Sequence, residues 1–177
     1  MPNYRRAFVP GGSWFYTVNL LNRRQTLLID HADVLRTAFE ETQKIYPFTI
    51  AAIVVLPDHL HAIWTLPPDD ADFSTRWRLI KTRFAKALPN QERRSAVRQA
   101  RRERGIWQRR FWEHLIRNDE DYARHVEYCY INPVKHGLVR RVQDWPYSSF
   151  HRDVRRGIFP LDWAGEVEVR GSFGERE

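Results

Sequence analysis

His59 and His61 stand one residue apart in the segment LPDHLHAIWTL, residues 56–66. A β-strand turns alternate side chains to opposite faces, so the two imidazoles share a face and Leu60 takes the other. Two converging imidazoles are half of a metal site. The other half is sought in DEDYARHVEYCYINP, residues 119–133, which reads as a helix ending at Asn132 before Pro133. One stripe of that helix carries Ala123, Val126, Tyr130 and Val134, with Cys129 beside it, and is the core-facing set. Another carries Asp121, Arg124, His125, Tyr128 and Asn132 at spacings of three and four. Tyr128 and Asn132 meet at i and i+4, whereas Tyr130 and Asn132 face nearly opposite ways. Tyr130 therefore belongs to the core, and Tyr128 is the tyrosine presented.

If that stripe faces His59 and His61, two imidazole nitrogens and one amide oxygen would hold a divalent cation. A mixed nitrogen and oxygen set without thiolate suits Mg²⁺ or Mn²⁺, and could also take Zn²⁺ or Co²⁺. Such a cation is a Lewis acid for a phosphodiester, and Tyr128 would be the nucleophile. A free tyrosine has a pKa of about 10, so it must lose its proton as it attacks, helped by nearby positive charge or a base. His125 lies one turn from Tyr128, but the residues do not single out a base. A phosphotyrosyl ester keeps the energy of the broken bond, which serves an enzyme that rejoins strands.

The elements that must position these groups read as follows. SWFYTVNLL, residues 13–21, is a strand; a helix after an Asp30 cap buries Leu35, Ala38, Phe39 and Thr42 and stops at Pro47. FTIAAIVVLP is a buried strand, joined to HLHAIWTLP across a tight Pro57-Asp58 turn as an antiparallel hairpin. STRWRLIKTRFAKAL begins at a Ser74 cap and buries Trp77, Ile80, Phe84 and Leu88, with Arg76, Arg78, Lys81, Arg83 and Lys86 on its other faces. GIWQRRFWEHLIRN reads as a further strand before the last helix. The order strand, helix, strand, strand, helix, strand, helix is an α+β pattern: a mainly antiparallel, ferredoxin-like (RRM-like) sheet with an extra helix. Residues 1–150 are expected to form one domain and residues 151–177 a tail, which lies back on it from Trp145 through its aromatics.

A chain of 177 residues with 42% apolar content suffices for one core. The start lacks an apolar segment of the secretory kind, and Cys129 is the only cysteine, so a cytoplasmic, nucleoid-associated protein without internal disulfides is expected. The longest apolar run is far too short to span a bilayer. Net charge is +7, yet Arg76 to Arg110 holds thirteen Lys/Arg against Glu92 and Glu103, leaving the remainder net acidic. A concentrated basic patch is the footprint of a polyanion partner. Arg76, Arg78, Lys81, Arg83 and Lys86 could track phosphates. Arg5 and Arg6, beside Tyr4, could read unpaired bases, and Arg109 and Arg110 alternate with Trp107, Phe111 and Trp112 as a stacking platform would.

These residues resemble a known family. His-hydrophobic-His on a strand with one tyrosine on a later helix is similar to the single-tyrosine HUH endonucleases. PNYRRAFVPGG, LPDHLHAIW, WQRRFWEH and HVEYCYINPVKHGLV together resemble the REP-associated tyrosine transposases, named for repetitive extragenic palindromic elements and related to small insertion-sequence transposases. The resemblance runs from about Pro2 to Phe150. It implies metal-dependent cleavage of single-stranded DNA beside a hairpin through a 5′-phosphotyrosine intermediate. By position it assigns His59, His61 and Asn132 as ligands and Tyr128 as nucleophile; the insertion-sequence relatives more often carry Gln where Asn132 stands. Those relatives act as dimers that exchange the tyrosine helix, and the residues leave monomer or homodimer open here. Two rivals remain: a structured-single-strand binder with an idle HUH site, and a metal-dependent nucleotide hydrolase using water.

Overall fold

The aromatic and β-branched run Ser13–Asn19 forms strand β1, near the middle of a four-stranded sheet. A computed structural model of the chain describes residues 8–90, 96–100 and 104–163. Along it follow α1 (Leu27–Asp30), α2 (Ala32–Ile45), β2 (Thr49–Val55), β3 (His59–Thr65), α3 (Phe73–Ala87), α4 (Ala96–Ala100), β4 (Trp112–Leu115), α5 (Asp119–Lys135) and α6 (Phe150–Arg155). The sheet order is β2-β3-β1-β4, every pair antiparallel. This is the α+β, ferredoxin-like arrangement that the element order implies.

Alternation along the strands separates two cores. Trp14, Tyr16 and Val18 of β1 and Leu60, Ala62 and Trp64 of β3 pack under α2 and α3, where Trp77 stacks on Trp64 with ring centroids 4.2 Å apart. Phe15, Ile63, Ala52 and Val54 face the other way, onto α5. The sheet is thus covered on both faces, and His59 and His61 fall on the α5 side with Ile63. No helix among the described residues is long and apolar enough to cross a membrane.

Several element ends differ from the sequence reading, each for a local reason. The helix α2 buries Leu35, Ala38, Phe39 and Thr42 as expected, but its N-cap is His31; Asp30 instead closes the one-turn α1, accepting from Thr26 Oγ1 at 2.6 Å. Asp72 rather than Ser74 caps α3, its Oδ1 accepting from the Thr75 amide at 2.9 Å. β4 is only four residues long, because residues 105–111 leave the sheet after one bridge between Leu20 and Trp107.

The α5 helix continues through Pro133 to Lys135. Its first turn is capped by Asn118 Oδ1 accepting from the Asp121 amide at 2.8 Å. Gly137, at φ +67°, closes the other end: the Leu138 amide bonds Pro133 O at 2.9 Å and the Gly137 amide bonds Val134 O at 2.9 Å. That pair of bonds is a Schellman closure, which needs the left-handed residue glycine supplies. Residues 145–155 lie back on the domain as expected. The Ser149 amide bonds Ile53 O at 2.8 Å, and Trp145 Nε1 bonds Val55 O at 3.0 Å. The β2 edge is therefore partly covered, which limits edge pairing with other chains.

Candidate active site

His59 and His61 lie opposite Asn19 and Thr17 of β1, whose side chains share their face. Both imidazoles are buried, with ring centroids 5.0 Å apart and planes nearly perpendicular. Each is anchored through Nδ1: His61 pairs with Thr17 Oγ1 at 2.9 Å and His59 with Asp58 Oδ1 at 2.8 Å. Burial alone would raise the Asp58 carboxyl, but hydrogen bonds from His59 and Arg23 outweigh it and hold it below the usual carboxylate range. An ionised Asp58 fixes His59 as the tautomer with its proton on Nδ1, which leaves the Nε2 lone pair for a cation. Arg23 braces the arrangement from Asn19 Oδ1, at 2.6 Å, and from Asp58 Oδ2.

Tyr128 comes from α5 onto this pair. Its ring lies 5.3 Å from the His61 ring and 6.0 Å from Phe15, and Lys135 Nζ donates to its hydroxyl at 3.0 Å. Two turns of helix further on, the His136 ring lies 5.2 Å from His59. Asn132, fully buried, stands midway between Tyr128 and His136 at four-residue steps, on the helix face they share. The helix thus brings Tyr128 and His136 to the paired imidazoles.

Both tyrosines of EYCYINP are fully buried, a difference from the reading that made only Tyr130 a core residue. The cause is that α5 is packed on two sides, by the sheet and by residues 145–155. Tyr130 points to the latter, donating to Asp153 Oδ2 at 2.5 Å. Burial and that carboxylate push its phenol far above the ordinary range. Tyr128 instead touches an ammonium group. Of the expected core stripe, Ala123 is exposed, while Asp121 and His125 from the polar stripe are buried.

Two imidazole nitrogens and an amide oxygen fit a divalent cation of the Mg²⁺ or Mn²⁺ class, and the Nδ1 anchors are the support such ligands need. Among the described residues, one other group could also approach a cation: His114, Asp121 and His125, with ligand atoms within 4.8 Å of one another. The His114 and His125 rings are stacked at 4.6 Å and 15°, and Asp121 already accepts from His114, Arg124 and the Arg117 amide. Burial lowers the His125 pKa, and its Nδ1 bonds Asp121 O at 2.7 Å.

Residues 15–129 match the family model described as "Transposase IS200 like". The chain belongs to this family. It is 53% identical over 176 residues to the REP-associated tyrosine transposase of Escherichia coli (strain K12), covering 99% of this chain and 98% of that protein. A relative from Haemophilus influenzae is 49% identical over 171 residues, covering 96% and 97% of the two chains. A solved structure of a REP-associated tyrosine transposase bound to a REP hairpin superposes with a TM-score of 0.86 at 52% identity, over 100% of this chain and 99% of that one.

In this IS200-like transposase the basic residues divide. Arg78, Lys81, Lys86, Arg109 and Arg110 line one cleft of about 830 Å³ between α3 and residues 104–111. Trp107 and Phe111 form its apolar wall, and Lys81 Nζ lies 5.2 Å from the centre of the Phe111 ring. Arg76 does not join them. It is fully buried, donating to Asp70 Oδ2 at 2.7 Å, Pro47 O at 2.7 Å and Asp72 O at 2.8 Å, which removes it from the phosphate-tracking set. Arg83 turns to α2, pairing with Glu41 Oε2 at 3.2 Å and Thr42 Oγ1 at 3.1 Å. Arg5 and Arg6 lie outside the described residues. The cleft wall crosses the end of β1, where the Gln108 amide bonds Asn19 O at 3.0 Å, and Asn19 is the strand partner of His59.

Several participants escaped the sequence reading, among them Thr17 and His136 beside the histidines. Arg23 and Asp58 flank the histidines but look like ordinary turn residues. Arg104 holds the end of α3 through Leu88 O, at 2.7 Å, and Pro89 O, at 2.6 Å. Lys135 sits seven residues after Tyr128, a spacing that returns to the same helix face, but it lies beyond the proline read as a stop.

Proposed function

We propose that this chain cleaves and rejoins single-stranded DNA beside a hairpin, with Tyr128 attacking the scissile phosphate and His59, His61 and Asn132 holding a divalent cation, Mg²⁺ or Mn²⁺. The observation that carries this reading is the approach of Tyr128 to His61 across a pair of imidazoles each anchored through Nδ1. The hairpin comes from the relative whose structure contains one. When bound, the cation would draw charge from the phosphate oxygens and orient the phosphorus.

In the step itself, the Tyr128 Oη–P bond forms as the P–O3′ bond breaks. The product is a 5′-phosphotyrosine with a free 3′-hydroxyl, and reversal with another 3′-hydroxyl rejoins strands. Arg78, Lys81, Lys86, Arg109 and Arg110 would hold the DNA backbone electrostatically, and Trp107 and Phe111 offer faces for unpaired bases. The cleft and the histidines meet at the end of β1, so a strand leaving the cleft around that end reaches Tyr128.

One observation favours the rival, a binder with an idle site: Tyr128 has no exposure. Its hydroxyl, however, is bonded by the exposed side chain of Lys135, so it lies just beneath the protein surface. A hairpin with a single-stranded flank, labelled at one end or the other and incubated with Mn²⁺, tests the polarity. The fragment 3′ of the cut is expected to travel with the protein under denaturing conditions. Attachment of the 5′ fragment, or free fragments only, contradicts the reading.

A further inference from the structure

Lys135 has no part in the scheme above, yet its ammonium lies at the proposed attacking atom. Nζ is 3.0 Å from Tyr128 Oη and 4.9 Å from the centre of its ring. The two residues are seven apart on α5, nearly two full turns, so they share a face. The helix reaches Lys135 only because it runs through Pro133 and closes at Gly137.

We propose that Lys135 is a catalytic residue that stabilises the phenolate of Tyr128, an inference that rests on Tyr128 being the nucleophile. As the Oη–P bond forms and the P–O3′ bond breaks, negative charge passes through the phenolic oxygen. A charge-assisted hydrogen bond from Lys135 to that oxygen is stronger in the transition state than in the ground state, which is the condition for catalysis. The tyrosine proton travels through water to the leaving 3′-oxygen, so Lys135 stays protonated and the step balances. In rejoining, the phenolate is the leaving group, and the same ammonium stabilises it. One donor thus serves both directions.

Single-turnover cleavage of a hairpin-bearing single strand, at saturating protein and Mn²⁺, tests this in Lys135→Met and Lys135→Arg. Because the side chain is exposed, both variants should fold and bind the hairpin as the parent does. The Met variant is expected to lose about 10²-fold in the rate of adduct formation, as when a single oxyanion donor is removed. The Arg variant, which keeps the charge and a donor, should recover most of it. Hairpin affinity should not change in either. A parental rate in Lys135→Met overturns the proposal, as do equal losses in both variants or a loss accounted for by weaker DNA binding. Tyr128→Phe separates the two levels: if the parent forms an adduct and Tyr128→Phe does not, the nucleophile stands and the Lys135 result is decided on its own. If the parent forms no adduct, the nucleophile and this inference fall together.

Discussion

The proposed chemistry depends on what fixes each functional side chain. His61 is oriented through Thr17 Oγ1 at 2.9 Å, and His59 through the Asp58 carboxylate at 2.8 Å. Outer partners of this kind raise ligand basicity and lock the ring, and their loss commonly weakens metal binding by about 10–100-fold. Thr17→Val keeps the shape and removes the partner. It should raise the Mn²⁺ concentration needed for half-maximal cleavage by about that factor, with hairpin affinity unaltered. An unchanged Mn²⁺ titration would show that the Nδ1 anchor is dispensable. At this scale the sequence was most informative where a periodicity acts alone. Two histidines on one strand face follow from alternation, and Tyr128 beside Asn132 follows from four-residue spacing. Lys135 was hidden because a proline inside a helix reads as an end, and here the helix tolerates it.

Each element carries a device that keeps the site in place. The start of α5 is held to β4 by Asp121, which accepts from His114 Nε2 at 2.8 Å, Arg124 at 2.8 Å and the Arg117 amide at 3.0 Å. Burial works to raise this carboxyl, but those hydrogen bonds bring it down from 3.8 to about 2. A folded-state pKa below the unfolded value means the stabilisation is complete above the unfolded pKa. It is lost as pH falls towards about 2. The amount is on the order of 2 kcal/mol. Urea melts between pH 5 and pH 2 should therefore show a stability loss that is smaller in Asp121→Asn; parallel curves for the two proteins would refute the latch. Its partners were not legible in the sequence, since pairing of a strand residue with the first turn of the next helix depends on the sheet register. The same limit applies to Arg76. Its place in a basic helix suggested solvent, and its partner Asp70 is on the preceding loop.

Taken whole, the basic cleft and the paired histidines lie against opposite faces of one sheet, and the proposed function divides DNA holding and chemistry between them. The fold class was readable from the alternation of strand and helix patterns, because each pattern is set by which face is buried. The two-sided packing of α5 was not, because the fold-back expected from Trp145 onward carries no sequence signal for which element it covers, and Tyr130 on α5 is what meets Ser149 and Asp153. Charge at this scale sorts by cleft. Removing Arg78, Lys86, Arg109 or Arg110 should each lower the slope of log affinity against log salt by about 0.7 for a single strand. Arg76→Met should leave that slope alone and instead destabilise the fold by about 2–3 kcal/mol, the loss of a buried cation being partly relieved by the solvent around Asp70. A slope that falls with Arg76 and not with the cleft residues would place the DNA elsewhere.

The most direct test of the account compares the two tyrosines of EYCYINP. A labelled single strand carrying a hairpin and its flank is incubated with Mn²⁺ and the parent protein, Tyr128→Phe or Tyr130→Phe, then run on a denaturing gel. The account predicts a metal-dependent covalent band for the parent and for Tyr130→Phe, and none for Tyr128→Phe. A band that survives in Tyr128→Phe, or vanishes only in a folded Tyr130→Phe, would contradict it.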